Sequence, residues 1–262
     1  MARDRWDMGS AYEPYVGRWS RVVARRFVEW LGPDPGGRWL DIGCGTGALT
    51  EAIVGLAEPS SVRGIDPSEG YVASAREHVP DPRASFAVGD AQGIPAEDDA
   101  FDHTVSGLVL NFVPDPEAAA VEMRRVTREG GSIAAYVWDY AEGMQMMRIF
   151  WEAAAELDAE AAALDEGARF PLCRPEPLRT LWQGAGLRDA EVQPIDIDTT
   201  FRDLDDFWTP FLGGQGPAPS YATSLTEDAR AALRDRIAER LPTAGDGTIP
   251  LRARAWAVRG TA

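Results

Sequence analysis

Apolar and polar positions follow two rhythms along this chain. Up to about residue 140, short apolar runs alternate with amphipathic stretches. Arg38 to Ile42 is predicted as a short buried strand and Ala48 to Leu56 as a helix. Val62 to Ile65 is a second strand ending at Asp66, after which Ser68 caps a helix to about His78 with Glu69 in its first turn. Ala84 to Val88 is a third strand, and Ala100 to Leu110 contains a fourth. Asp115 starts a helix through Arg128 with Pro116 at its first position, Glu129-Gly130-Gly131 ends it, and Ile133 to Trp138 is the fifth strand. Strands alternating with helices predict an α/β fold with a parallel, doubly wound sheet.

The flanks read differently. Before the first strand, Trp6, Tyr12, Tyr15, Trp19, Phe27 and Trp30 form an aromatic cluster, and Tyr12, Tyr15 and Trp19 are spaced as one helix face, although Pro14 interrupts a continuous helix. That face either packs onto the domain or covers a ligand. After Trp138, Met144, Met147, Phe150, Trp151 and Ala154 mark one side of a helix, and Glu176 to Ala185 is a further helix. Leu187 to Ile197 holds a sixth strand, and Phe201 to Tyr221 is aromatic and loop-like. Thr226 opens a helix to Leu241, closed by Pro242, and Leu251 to Val258 alternates as a last strand.

Composition narrows the class. The chain has 262 residues and a formal net charge of −16, with Asp+Glu 42 against Lys+Arg 26, every basic residue being Arg. This balance argues against a nucleic-acid partner, since phosphate backbones need clustered positive charge. No apolar run spans a bilayer, and the N-terminal stretch lacks a signal-peptide core. Cys44 and Cys173 form no disulfide framework and no metal-ligand cluster. The expectation is a reduced, cytoplasmic, soluble protein with no metal.

The chemistry concentrates in Trp39-Leu-Asp-Ile-Gly-Cys-Gly-Thr-Gly47. A strand that turns into a helix through Gly43, Gly45 and Gly47 brings bare backbone N–H groups and a helix N-terminus to a ligand. A dinucleotide site wants G-x-G-x-x-G/A and an acid about 20 positions on. Gly43, Gly45, Ala48 and Asp66 satisfy that pattern, so the glycines alone remain ambiguous. Asp66 in either case accepts from ribose hydroxyls. Asp41 argues against a pyrophosphate, because an anion directly before the glycines suits a cationic amino-acid tail. After the third strand, Asp90 could accept from an adenine amino group.

Six segments in order resemble class I S-adenosylmethionine-dependent methyltransferases, in the small-molecule branch that includes the ubiquinone/menaquinone-biosynthesis enzymes. They are Leu40 to Gly47, Gly64 to Ser68, Gly89-Asp90-Ala91, Phe101-Asp102, Asn111-Phe112, and Arg124 to Gly131 before the fifth strand. The resemblance covers roughly residues 35 to 140. It implies a Rossmann-like seven-stranded sheet of order 3-2-1-4-5-7-6 with the last strand antiparallel. It also implies one domain over 1–262: an N-terminal lid at 1–30, a cofactor half at 35–140, a substrate-side half with cap helices at 141–249 and a final strand at 250–260. S-adenosylmethionine would be the cofactor and S-adenosylhomocysteine its product. Gly43 and Gly45 would line the methionine portion, with Asp41, Cys44 and Gly47 also at the cofactor and Cys44 as a small filler there. Asp66 would hold the ribose, with Pro67 next to it also at the cofactor, Asp90 and Ala91 would contact the adenine, and Asn111 would sit beside the sulfonium. Tyr15, Arg18 and Trp19 fit the lid, and Arg18 either pairs with the methionine carboxylate or lies on a solvated helix face.

Methyl transfer asks an enzyme mainly to hold a nucleophile about 3 Å from an activated methyl. A base is needed only if the acceptor must lose a proton. The candidates are weak: Tyr140 and Asp139 just past the fifth strand, and His103, which reads more readily as a sheet histidine. Phe112, Trp138, Tyr140, Met144, Met147, Trp208 and Phe211 would wall a small, largely apolar or aromatic acceptor, though each also suits an ordinary core. Two competing readings stand beside this one, an NAD(P)-dependent oxidoreductase and a non-catalytic cofactor-binding regulatory protein.

Overall fold

The computed structural model describes residues 17–213 and 216–262. The strands are β1 (Arg38–Ile42), β2 (Ser61–Asp66), β3 (Ala84–Val88), β4 (Phe101–Gly107), β5 (Thr127–Trp138), β6 (Arg188–Asp198) and β7 (Arg252–Thr261). They form one sheet of order β3-β2-β1-β4-β5-β7-β6. Strands β1 to β5 pair in parallel. Against β5, β7 is antiparallel: Asp139 N donates to Arg254 O at 2.9 Å at one end, and Ala262 N to Gly131 O at 3.0 Å at the other. The expected order is therefore met. The strand order turns back on itself between β1 and β4, the place where open α/β sheets bind ligands beyond their carboxyl ends.

Two units divide the described residues. The first holds Ser20–Val137, Leu172–Ile195 and Ala255–Ala262. Its helices are α1 (Arg18–Leu31, from Ser20 on), α2 (Ala48–Leu56), α3 (Glu69–His78) and α4 (Pro116–Val126). Ser68 Oγ caps α3 by accepting from Tyr71 N, and Asp115 caps α4 ahead of Pro116. Fully buried Trp39, Leu40, Ile42, Val62, Val105 and Ile133 make its core. Helix α1 buries Val23, Ala24, Phe27 and Val28, with the Phe27 ring 4.6 Å from that of Tyr136. From Ser20 onward the expected lid segment is thus a core helix. Tyr15 and the earlier aromatics lie outside the described residues.

The second unit holds Trp138–Pro171 and Asp196–Arg254 together with residues 17–19. Helix α5 (Gln145–Leu157) turns Met146, Met147, Phe150, Trp151, Ala153 and Ala154 inward. The short α6 (Glu166–Arg169) follows it in this unit, while α7 (Pro175–Gly184) belongs to the first. Next come α8 (Leu204–Trp208), α9 (Pro217–Ser224) and α10 (Glu227–Arg240), the last linked to α5 by Arg236 on Glu156 at 3.1 Å.

Two local expectations are corrected. Helix α4 stops at Val126, and β5 begins at Thr127 rather than Ile133. Thr127 is buried, pairs with Phe101 of β4, and donates its hydroxyl to Met123 O at 2.7 Å. Arg128 reaches Asp102 at 2.6 Å, so Gly130-Gly131 lies within the strand, where the β4 register shifts. The stretch from Phe201 to Tyr221 also holds helix, not only loop. Asp203 caps α8 by accepting from Asp206 N at 2.8 Å, and Pro217 opens α9 behind Gly216.

Candidate functional site

Gly43, Gly45 and Gly47 all adopt positive φ, at +69°, +52° and +93°. Such angles cost other L-residues roughly 1–2 kcal/mol each, so the alternate glycines follow from the turn itself. Ile65 O of β2 accepts from both Gly43 N (2.8 Å) and Cys44 N (3.0 Å), which closes the turn. The three glycines do different work. A Cβ on Gly43 would lie 2.5 Å from the Val109 side chain beyond β4, and one on Gly47 would lie 2.8 Å from Val79. A Cβ on Gly45 would meet only Gly43 O at 4.0 Å. Gly43 and Gly47 therefore serve close packing, and Gly45 leaves bare backbone facing open space.

Two carboxylates flank this turn. Asp66, at the end of β2, accepts from Gly45 N at 3.1 Å and from Ser68 N at 2.9 Å. Burial pushes its carboxyl above the usual range against those two donors. Asp41 is fully buried on β1, and Thr50 of α2 donates to its Oδ2 at 2.6 Å. Its Oδ1 is buried with no partner. Burial first, with Asp66 adding to it, raises Asp41 to about 7. Cys44 sits between them, buried, and its thiol is pushed well above its ordinary range by burial and by both acids. It is an inert filler.

Asp90 follows β3, exposed, and accepts from Gln92 N at 2.9 Å, while Ala91 beside it is buried. Pro67 is exposed after Asp66. Asn111 and Phe112 lie in a 3₁₀ turn after β4 (Leu110–Phe112). Both amide atoms of Asn111 are buried with no hydrogen-bond partner. The first unit thus gathers Asp41, the glycine turn and Asp66 at the carboxyl ends of neighbouring strands. A nucleoside with a cationic amino-acid tail fits what they offer: open backbone at Gly45, an unused carboxylate oxygen on Asp41, and an unused amide on Asn111.

The other candidates divide. His103 pairs in register with Trp39, the second residue of β1. It is four residues, roughly 13 Å of strand, from the glycine turn, at the opposite end of the sheet. There it stacks on Trp39 at 4.3 Å between centroids and lies 2.7 Å from Ser132 Oγ, and burial lowers its pKa. This removes His103 from the catalytic candidates. In the second unit, Asp139 is buried as a turn-builder, its Oδ1 accepting from Glu142 N at 3.0 Å. Tyr140 is buried against Phe170, ring centroids 5.8 Å apart.

Trp138, Met144 and Met147 are buried in the second unit, as are Trp208 and Phe211, whose rings are 6.2 Å apart. Phe211 stacks on Phe150 at 4.5 Å, and Tyr221 lies 5.6 Å from Trp151. Arg18 is held by Asp206 at 3.1 Å, with its guanidinium 4.7 Å from each of the Trp19 and Phe201 rings. Only its Nε and Nη2 are left buried without a partner.

One polar group of this unit escaped sequence reasoning. Glu166 is 2% exposed and accepts the indole N–H of Trp151. Burial raises its carboxyl to about 7. It stands within Leu-Asp-Glu-Gly-Ala-Arg, which reads as a solvated charged stretch, and only the distant Trp151 marks it.

Comparison with known proteins agrees with this geometry. The family model described as "Methyltransferase domain" matches residues 40–135. Demethylmenaquinone methyltransferase of Staphylococcus aureus is 35% identical over 115 residues, covering 43% of this chain and 48% of the relative. The chain thus spans about half the length of the curated relatives it matches. Among solved structures, a Bacillus halodurans protein described as a methyltransferase aligns with TM-score 0.61 at 14% identity, over 91% of this chain and 97% of its own. Phosphoethanolamine N-methyltransferase 2 of Haemonchus contortus, in complex with S-adenosylhomocysteine, aligns with TM-score 0.60 at 18% identity, over 97% of this chain and 56% of its own. These likenesses establish the fold, whose antiparallel β7 also separates it from the dinucleotide-binding order 3-2-1-4-5-6. Over residues 40–135 the chain is thus similar in sequence to methyltransferase domains.

Proposed function

We propose that this protein transfers the methyl group of S-adenosylmethionine to a small, largely apolar or aromatic acceptor. The observation that carries the reading is the Gly43–Gly47 turn set between Asp41 and Asp66, open at Gly45. Gly43 and Gly45 would hold the methionine portion and Asp41 its ammonium group. Asp66 would hold the ribose hydroxyls, Asp90 and Ala91 the adenine, and Asn111 the region of the sulfonium. When bound, the cofactor supplies a carbon activated by positive sulfur. The protein's part is orientation, which is worth about 7–11 kcal/mol when the reacting atoms are well placed.

Acceptor chemistry rests on the second unit. Phe150, Trp151, Trp208, Phe211 and Tyr221 pack on one another there, and a unit so rich in aromatic side chains favours an acceptor of like character. The demethylmenaquinone named for the Staphylococcus relatives is an acceptor of that type. The net charge of −16 favours a small molecule over nucleic acid. Among the described residues no helix is long and apolar enough to cross a membrane, and no His/Cys/Asp/Glu group could hold a metal ion. No general base is assigned, because Asp139 builds a turn and His103 lies at the far end of the sheet.

Titration calorimetry with S-adenosylmethionine, S-adenosylhomocysteine and NADH tests the cofactor. Saturable binding of the two sulfur nucleosides, without NADH, supports the reading, and NADH binding instead overturns it. Turnover on quinol, phenol and amine acceptors then tests the reaction. Cofactor binding with no turnover on any of them would favour a regulatory binding protein.

A further inference from the structure

Within the glycine site, two acids share one desolvated corner and no cation balances them. Neither Asp41 nor Asp66 forms an ion pair among the described residues. Asp66 is satisfied by two backbone N–H groups, whereas Asp41 has a single donor, Thr50, and an idle Oδ1. The groups around Asp41 supply no charge of opposite sign. Its strand neighbours in register are Gly64 on β2 and Val105 on β4, α2 offers the Thr50 hydroxyl, and the turn offers the Cys44 thiol. A fully buried carboxylate in that company lacks the solvation or pairing that an ion requires.

We propose that in mildly acidic solution Asp41 is a neutral acid in the empty site and becomes a carboxylate when the cofactor binds, so that binding there releases one proton to solvent. The inference rests on reading the glycine turn as the S-adenosylmethionine site. The O–H bond of Asp41 breaks, its proton passes to buffer, and the cationic amino-acid tail takes the proton's place as counter-charge. No electron moves. Asp41 would thus couple cofactor capture to pH.

The sign follows from linkage. The empty-site group titrates near 7, raised from 3.8 mainly by burial. A bound cation pulls it back down. Below pH 7 the ligand must displace a proton, so affinity weakens roughly tenfold per pH unit of acidification, and above about pH 8 affinity is flat.

The test is titration calorimetry of the full chain with S-adenosylmethionine and S-adenosylhomocysteine at pH 6 and pH 8.5. Each pH is run in two buffers that hold it and differ in ionisation heat, phosphate and Bis-Tris at pH 6, and EPPS and Tris at pH 8.5. The expected result is close to one proton released at pH 6 and almost none from Asp41 at pH 8.5. Asp41→Asn keeps an acceptor for Thr50 but carries no titrating proton, so it removes that release and flattens the pH dependence of Kd. Should Asp41→Asn fail to fold, infrared difference spectra of the wild type still read the proposal, through loss of a protonated-carboxyl band on ligand addition. Tight binding at pH 6 with equal heats in both buffers and no such band overturns the proton exchange and leaves the cofactor assignment intact. No saturable heat at any pH overturns the assignment itself, and the exchange with it.

Discussion

The backbone N–H of Gly45 donates to Asp66 Oδ2 at 3.1 Å, tying the turn after β1 to the end of β2. The bond makes Asp66 a strut of the turn, in addition to the ribose-holding role proposed for it. Asp66→Ala should therefore abolish S-adenosylmethionine binding in calorimetry while the chain still folds, since Ile65 O continues to hold Gly43 N and Cys44 N. Retained tight binding by the variant would sink the site assignment.

Gly43 and Gly45 separate packing from recognition. Gly43→Ala places a methyl 2.5 Å from Val109, on top of a positive φ, so it should lower stability by about 2 kcal/mol or more, read by urea unfolding. Gly45→Ala meets open space and bears only the backbone cost of roughly 1–2 kcal/mol. Its methyl would occupy the space read as the ligand's, so Gly45→Ala should fold and lose cofactor affinity. Equal stability losses with equal affinity losses would contradict this division.

The strands and glycine turn of residues 38–66 were legible in the sequence because their signals are local. Gly43, Gly45 and Gly47 are required by backbone angles, and Asp66 follows a short β-rich run that fixes the next strand end. The sheet order came from the family resemblance, not from periodicity. What stayed hidden depends on partners far along the chain. Thr127 starts β5 early because Phe101 awaits it, and Glu166 is buried because Trp151 lies opposite. Arg18 had two readings in the sequence, and neither foresaw Asp206, 188 residues away, as its partner.

Asn111 carries a cost that the proposed cofactor would relieve. Both of its amide atoms are buried and unpartnered, a penalty of about 1–3 kcal/mol for each unmade hydrogen bond. Asn111→Leu fills the same space without polar atoms, so thermal unfolding should show equal or greater stability. Methyl transfer or cofactor affinity should fall in the same protein. A loss of stability with unchanged binding would mark Asn111 as a structural residue.

Glu166 makes the stability of the second unit depend on pH. Its carboxyl is buried beside Asp165, which is itself paired with Arg148 at 2.5 Å, and Arg169 follows on α6. Burial is the largest influence, and it outweighs the lowering by Glu166's own N–H and by the Trp151 indole. The folded group titrates near 7 against 4.5 in an unperturbed chain. A raised acid holds its proton more tightly when folded, so its contribution is most favourable below pH 4.5 and is lost as pH rises to about 7, then stays flat. The loss amounts to about 3 kcal/mol across that window. Asp41 acts in the same direction in the first unit, so wild type alone cannot apportion the slope. Glu166→Gln keeps an acceptor for the Trp151 N–H and no longer titrates. Urea unfolding of both proteins between pH 4.5 and 8 should show the variant losing less stability with rising pH, by up to the Glu166 share. Parallel curves would show that Glu166 is solvated or paired in solution and that Trp151 does not hold a buried acid.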